Sequence, residues 1–157
     1  MVDWTSPVSA LTGALIGISS TLLADRARWR RDRQDRRQAA RREIYAEYLT
    51  ALARTRNGLW EAAHSTTLSP GDRATKARDA FQTGGVYELH NLITITAPEA
   101  LIPHSEAVFD CLRFLRDKIE QGAIHEDDAY LQHRTAYQVA LQSLRRAIRE
   151  DLGGDDA

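Results

Sequence analysis

Cysteine is almost absent from this chain, since Cys111 is the only one among 157 residues. A single thiol excludes an intrachain disulfide framework. Cys111 is followed at helical spacing by Leu112 and Leu115 and preceded by Val108. This pattern predicts a buried thiol that acts as a small hydrophobic side chain, in a domain that occupies a reducing compartment.

Charge is absent from residues 7–24, which contain no Asp, Glu, Lys or Arg. As a helix, this run extends roughly 27 Å at 1.5 Å per residue, close to the thickness of about 30 Å of a hydrocarbon core. Trp4 and Trp29 bracket the run as interface anchors, because tryptophan concentrates at both bilayer surfaces. We therefore predict a transmembrane helix over 7–24 after a short extracytoplasmic N-terminus, 1–6. The alternative is a soluble helix that packs on the rest of the fold.

Lysine is also scarce, with two residues against nineteen arginines. Nine of the arginines lie in residues 25–42 with only three aspartates, which gives this stretch a charge of +6, whereas residues 43–157 carry −6. The positive-inside rule then places the N-terminus outside an inner membrane and the C-terminal domain in the cytoplasm. We predict that 25–43 is a basic juxtamembrane helix. Its predicted contacts with anionic lipid are Arg26, Arg28, Arg30, Arg31, Arg33, Arg36 and Arg37.

Two alternatives to lipid binding remain for the arginine block: a merely solvated helix, and a helix that binds nucleic acid. Arginine density suits phosphate, but neither a recognised reader motif nor a row of stacking aromatics accompanies it. Nucleic acid is therefore the less favoured partner.

Small residues recur every four positions within the uncharged run, at Ser9, Gly13, Gly17 and Thr21. A stripe of this kind, which contains a GxxxG motif, allows two transmembrane helices to approach closely. The chain has no second predicted span, so the stripe predicts a homo-oligomer, with decorative glycine as the alternative.

The remainder, 44–152, shows apolar residues at helical period and predicts an antiparallel bundle of about four helices. Leu68-Ser-Pro-Gly71 separates the first two helices, with Ser69 as N-cap and Pro70 at N1. The second helix is predicted to continue through Gly84-Gly85 and Leu92, although Leu92–Thr96 also resembles a strand. The clearest inward face is that of the third helix: Leu101, Ser105, Val108, Leu112, Leu115 and Ile119. The fold class is therefore all-α, with a flexible tail at 153–157.

Motifs that carry chemistry are missing: the sequence has no GxxxxGK, GxGxxG, GxSxG or CxxC. Glu61-x-x-His64 has the spacing of half a di-iron site, but no second ExxH accompanies it. His90, His104, His125 and His133 show no mutual ligand spacing, and the five tyrosines suit the edge of the core better than a binding cage. We therefore assign no catalytic, cofactor-binding or metal-binding residue and no cofactor.

The order of features in the first 65 residues or so carries a family resemblance. A short acidic N-terminus, a glycine-containing run, the stretch LADRARWRRDRQDRRQAARREIYAEYL and a helical domain follow one another. This order resembles small actinobacterial single-pass membrane-anchored helical proteins, and the arginine bias fits a high-GC genome. The resemblance implies an anchor and a helical domain but no particular activity.

These observations predict a membrane-tethered cytoplasmic interaction or scaffold module that is not an enzyme. The alternative is a soluble nucleic-acid-binding or regulatory helical protein, and an enzyme with an unrecognised site comes third.

Overall fold

The structure is a computed structural model that describes the backbone of residues 5–153 and the side chains of Trp29 and of residues 33–153. In these residues the regular structure is entirely helical, without a strand, which confirms the predicted all-α class. The elements are α1 (Thr5–His64), α2 (Pro70–Thr83), α3 (Val86–Thr96), a 3-10 helix (Glu99–Leu101), α4 (Ile102–Glu120) and α5 (Asp128–Gly153).

The chain divides into two compact units, residues 1–40 and 41–157. In the second unit, the C-terminal part of α1 packs with α2, α3, α4 and α5, and the buried apolar side chains form one core. The predicted bundle of about four helices is confirmed for this unit.

The part of α1 that belongs to the bundle buries one face. Tyr48, Leu52, Leu59 and Ala63 were predicted to point inward, and each is at most 2% exposed. Their spacing of four or seven residues keeps them on one side of a helix with 3.6 residues per turn. Ile44, the first residue of the predicted face, is half-buried and packs against this core.

The start of α2 follows the predicted capping chemistry. The Oγ atom of Ser69 accepts a hydrogen bond from the backbone N–H of Asp72 at 3.2 Å, and Pro70 occupies the first helical position. The cap satisfies one of the N–H groups that have no partner within the helix.

The prediction of one helix through Gly84-Gly85 is wrong. Gly85 adopts φ +75°, a left-handed conformation that glycine reaches without steric cost, so α2 ends at Thr83 and α3 begins at Val86. The stretch 92–96 is helical, as preferred over a strand. Because α3 starts with a new direction, Ile93 is buried and Leu92 only half-buried.

The face predicted for the third helix is confirmed at every position. The 3-10 helix contributes Leu101, and α4 contributes the others, all of them at most 3% exposed: Ser105, Val108, Leu112, Leu115 and Ile119. Phe109, which the prediction did not include, is also buried because it packs against other aromatic rings.

The helix α5 is confirmed from Asp128 to Gly153, where the sequence predicted its end. Tyr130, Tyr137, Leu144 and Ile148 are buried, whereas the other two residues of the predicted face, Leu141 and Leu152, are half-buried. Residues 154–157 of the predicted tail lie outside the described residues.

Small residues bring α1 and α2 into close contact. A Cβ atom added to Gly58 would lie 2.5 Å from the Cβ atom of Ala80, and one added to Gly84 would lie 2.0 Å from the Oγ1 atom of Thr55. Both distances are too short for real carbon atoms, so these two glycines allow backbone to approach side chain directly.

In the first unit, the backbone is helical from Thr5 to Ala40, and the predicted helical state of 25–43 is observed. In the part of the chain that the structure describes, no helix has both the length and the apolar character required to cross a bilayer. The side chains of 7–24 lie outside that part, so the predicted span remains a prediction.

Candidate functional site

The basic segment presents its described arginines to solvent. Arg33, Arg36 and Arg37 are exposed, and among the side chains that the structure describes they form no ion pair. Trp29 is 66% exposed, and the guanidinium carbon of Arg33 lies 5.6 Å from its ring centroid. An exposed array of guanidinium groups can bind phosphate oxygens through paired N–H donors.

The other predicted site residues lie outside the described side chains. This group comprises the interface anchor Trp4, the small-residue stripe Ser9, Gly13, Gly17 and Thr21, and the arginines Arg26, Arg28, Arg30 and Arg31. The proposed helix–helix contact and most of the proposed lipid contact therefore remain predictions.

A charged network lies where α1 enters the bundle. Asp151 of α5 accepts hydrogen bonds from Arg41 at 2.9 Å and from the hydroxyl of Tyr45 at 2.7 Å. Burial, reinforced by the carboxylate of Asp151, raises the pKa of Tyr45 well above its usual range. The tyrosine therefore stays a neutral donor, and the network holds α1 to the C-terminal end of α5.

A groove of about 390 Å³ lies beside the break between α2 and α3. Its walls combine one face of α1 with the glycine pair: Ala46, Glu47, Thr50, Ala51, Arg54, Gly84, Gly85 and Leu89. Glu47 and Arg54 are exposed, and no described side chain pairs with either of them. The groove thus has an apolar floor of alanine and leucine with one carboxylate and one guanidinium at its rim.

A polar cluster joins three helices inside the bundle. Ser105 donates through Oγ to the hydroxyl of Tyr48 at 3.0 Å, and Tyr48 donates to the carbonyl oxygen of Ser105 at 3.3 Å. The Nδ1 atom of His90 lies 3.2 Å from the same Oγ atom. Because the hydroxyl hydrogen of Ser105 is directed to Tyr48, the Nδ1–H group of His90 is the donor to Ser105.

This arrangement does not activate Ser105 as a nucleophile. Activation requires a base that accepts the hydroxyl proton, whereas His90 donates in this network. Ser105 and Tyr48 are also 0% exposed. Burial lowers the pKa of His90, against the opposite effect of Glu106 and Asp110, and burial raises the pKa of Tyr48 to about 12. The cluster therefore consists of neutral groups and serves packing.

Aromatic rings continue outward from this cluster. The ring of His90 stacks on Phe109, with centroids 4.2 Å apart and an angle of 7° between the ring planes. Phe109 meets Phe81 and Tyr87 edge-on, and the guanidinium of Arg116 lies 4.7 Å from the centroid of Phe81. Aromatic pairs at these separations add to the stability that burial supplies.

A second group of rings lies at the C-terminal end of α1. Trp60, His64 and His125 form a continuous stack with successive centroids 4.1 Å apart. The sequence gave no sign of it, because His125 follows His64 by sixty-one positions and only the folded chain brings the rings together. Glu61, the neighbour with metal-like spacing, instead pairs with Lys76 at 3.4 Å.

Two further predicted residues can be placed. Cys111 is half-buried, and its pKa is raised first by burial and then by Asp110, so the thiol form is favoured. Among the described residues, no group of three or more His, Cys, Asp or Glu side chains is arranged to hold a metal ion.

Comparison of the chain with protein-family models, with curated proteins and with solved structures gave no match. The functional argument therefore depends on the residues themselves.

Proposed function

We propose that this protein is a membrane-tethered helical module whose cytoplasmic bundle binds a partner protein and catalyses no reaction. The observation that carries the proposal is the abrupt change of charge: an uncharged run over 7–24 is followed directly by nine arginines in 25–42. Such a change is typical of the point where a transmembrane helix enters the cytoplasm.

The exposure of the described arginines supports the lipid side of the proposal. A basic residue near an anionic membrane surface contributes about 1 kcal/mol of attraction, and this requires a side chain that is not already paired within the protein. Arg33, Arg36 and Arg37 meet this requirement. Trp29, exposed beside Arg33, suits the headgroup layer, where the amphipathic ring of tryptophan is favoured.

The side chains that most resemble a catalytic group support a role in binding. The hydroxyl of Ser105 is inaccessible, His90 donates to it rather than accepting from it, and the thiol of Cys111 has a raised pKa. In contrast, the groove beside Gly84 and Gly85 is open and is the feature of the bundle best suited to a partner. We also propose that the Ser9–Thr21 stripe pairs two copies of the chain.

Fractionation of cells that express the full-length protein tests the anchor. We expect the protein in the membrane fraction after a carbonate wash, because a spanning helix is not released by breaking electrostatic contacts. A matched variant with Leu11, Leu15 and Ile18 changed to Asp places three carboxylates in the proposed span, at an insertion penalty of about 2.5–3.5 kcal/mol each near the centre, and should become soluble. Recovery of the unmodified protein in the soluble fraction without detergent would contradict the proposal.

The exposed arginines also favour one alternative, a helix that binds nucleic acid. Gel-shift titration at several salt concentrations distinguishes the two proposals when combined with fractionation. A soluble protein that binds nucleic acid with a steep salt dependence would support the alternative, whereas a carbonate-resistant protein that binds anionic vesicles supports the membrane module.

A further inference from the structure

We propose that Trp60, His64 and His125 form an acid-sensitive latch that closes the α4–α5 connection (residues 121–127) onto the end of α1 and releases it on acidification. This inference concerns the bundle alone and does not depend on the proposed membrane anchor.

The latch joins two segments that are distant in sequence. The ring of His125, from the connection, stacks on that of His64 at 4.1 Å with 27° between the planes, and His64 stacks on Trp60 at 4.1 Å with 26°. The backbone N–H of His125 donates to the carbonyl of Ala63 at 3.3 Å, which satisfies a carbonyl in the last turn of α1. Tyr130 meets His64 edge-on at 6.3 Å.

The position of one proton on His64 follows from its hydrogen bond. Its Nδ1 atom lies 2.9 Å from the carbonyl oxygen of Trp60. A carbonyl oxygen only accepts, so Nδ1 carries the hydrogen and the proton taken up in acid goes to Nε2. The charged ring would then lie against the faces of both Trp60 and His125.

The surroundings of His125 oppose its protonation while the latch is closed. Its Nε2 atom lies 3.5 Å from Oε1 of Glu126, which can only accept, so in the neutral ring Nε2 carries the hydrogen. Its Nδ1 atom is buried and has no hydrogen-bond partner. Protonation would therefore create a buried N–H donor without an acceptor, which is unfavourable.

A second unfavourable contribution comes from the stack itself. Two imidazolium rings with centroids 4.1 Å apart repel each other, so the closed latch tolerates at most one charge. An open connection exposes both rings to water and allows both to be charged. The open form therefore binds more protons, and acid favours it by linkage.

The charged groups around the stack moderate this effect without reversing it. They are Glu126 on the connection, the Glu61–Lys76 ion pair on α1 and α2, and Arg56 and Arg134, which act on the neighbouring Tyr130. Glu126 attracts a charged His125, but its side chain is 76% exposed, so water screens the attraction. The Glu61–Lys76 pair is neutral as a whole.

Hydrogen exchange on the full-length protein, followed by mass spectrometry between pH 7.5 and 5.5 and corrected for the intrinsic pH dependence, tests the latch. We expect exchange of residues 121–127 to accelerate on acidification, by up to about tenfold per pH unit for each proton taken up. This pH range lies above the titration of ordinary carboxylates and includes that of histidine.

Variants separate protonation from packing. His125→Phe retains a ring in the stack but cannot be charged, and its connection should exchange slowly at both pH values. His125→Ala lacks the ring, and its connection should exchange rapidly at both. His133→Phe, whose parent imidazole stacks on Phe114 of α4, removes a histidine elsewhere on the bundle and should respond to pH like the wild type.

Two results would overturn the proposal: exchange of 121–127 in the wild type that does not change with pH, or a full pH response that persists in His125→Phe. If circular dichroism shows that His125→Phe is unfolded, His64→Phe takes its place. That variant also retains a ring between Trp60 and His125 while removing one titrating group, and it must lower the pH response.

Discussion

In residues 33–40 of α1, every side chain is exposed except the half-buried Gln38, whereas in residues 44–63 of the same helix a side chain is buried about once per turn. The first stretch consists of arginine, glutamine, alanine and one aspartate, most of which favour a helix locally. The second stretch has a face of tyrosine, leucine and alanine that packs against four other helices. Packing of such a face supplies most of the stability of helices in folded proteins.

The comparison teaches where each stretch finds its partners. The polar groups of the second stretch are satisfied inside the protein, as the Tyr48–Ser105–His90 cluster and the Tyr45–Asp151 hydrogen bond show. The guanidinium groups of Arg33, Arg36 and Arg37 have no such partner among the described side chains. Their counter-charges must come from solvent ions or from an external anionic surface, and for this reason the proposed function assigns binding to the first stretch.

The largest expected effect breaks the comparison at its core. Leu52→Ala removes a side chain that is 0% exposed, and the free energy of unfolding should fall by about 2–5 kcal/mol through lost burial and a cavity. Arg37→Ala, on the same helix but exposed, should change it by no more than about 0.5 kcal/mol. Chemical denaturation of both variants checks the prediction, and equal effects would show that the two stretches do not differ as described.

The next effect concerns the close approach of α1 and α2. Gly84→Ala places a Cβ atom 2.0 Å from Oγ1 of Thr55 and 2.8 Å from the carbonyl oxygen of Ala80, and we expect a loss of about 1–3 kcal/mol in unfolding free energy from overpacking. Gly71→Ala is the matched control, since its nearest contact lies at 3.8 Å. A second change, Thr55→Ala, should restore part of the loss. Gly84→Ala with wild-type stability would show that the helices separate easily.

A smaller effect tests the junction between the two stretches. Asp151→Ala removes the acceptor that Arg41 and Tyr45 share, and it should lower the free energy of unfolding by about 1–3 kcal/mol, because the hydroxyl of Tyr45 is left buried without that partner. Thermal denaturation of this variant and of Asp151→Asn, which retains one acceptor oxygen, measures the effect. If the two variants are equally stable, the tyrosine finds another partner and the network is not needed at the junction.

The smallest expected effect is a pH dependence from His90. Its pKa is lowered in the folded protein by burial, so the unfolded chain binds more protons once the pH falls through the ordinary histidine range near 6.5. Stability should therefore fall from pH 7.5 to 5.5, by linkage. The difference in unfolding free energy between the wild type and His90→Gln, measured at both pH values, isolates this contribution. A difference that does not change with pH would contradict the lowered pKa.

Prediction from sequence succeeded where one periodic pattern decided the outcome. The α4 face from Ser105 to Ile119 was predicted at each position because apolar residues at a spacing of three or four can share only one side of a helix. Ser69 and Pro70 marked the start of α2 for a similarly local reason. Gly84-Gly85 was noticed but misread, because the sequence does not reveal that Thr55 occupies the space beside Gly84.

The sequence by itself determined the helical class, the inward faces, the breaks at proline and the separation of the charges, because each depends on residues within a few turns of one another. Only the tertiary structure decided which side chains meet: His125 with His64, His90 with Ser105, Asp151 with Tyr45. These contacts join residues on different helices, and local spacing carries no information about how helices pack. The physical reason is that helix formation is a property of neighbours along the chain, whereas packing is a property of complementary surfaces brought together by burial.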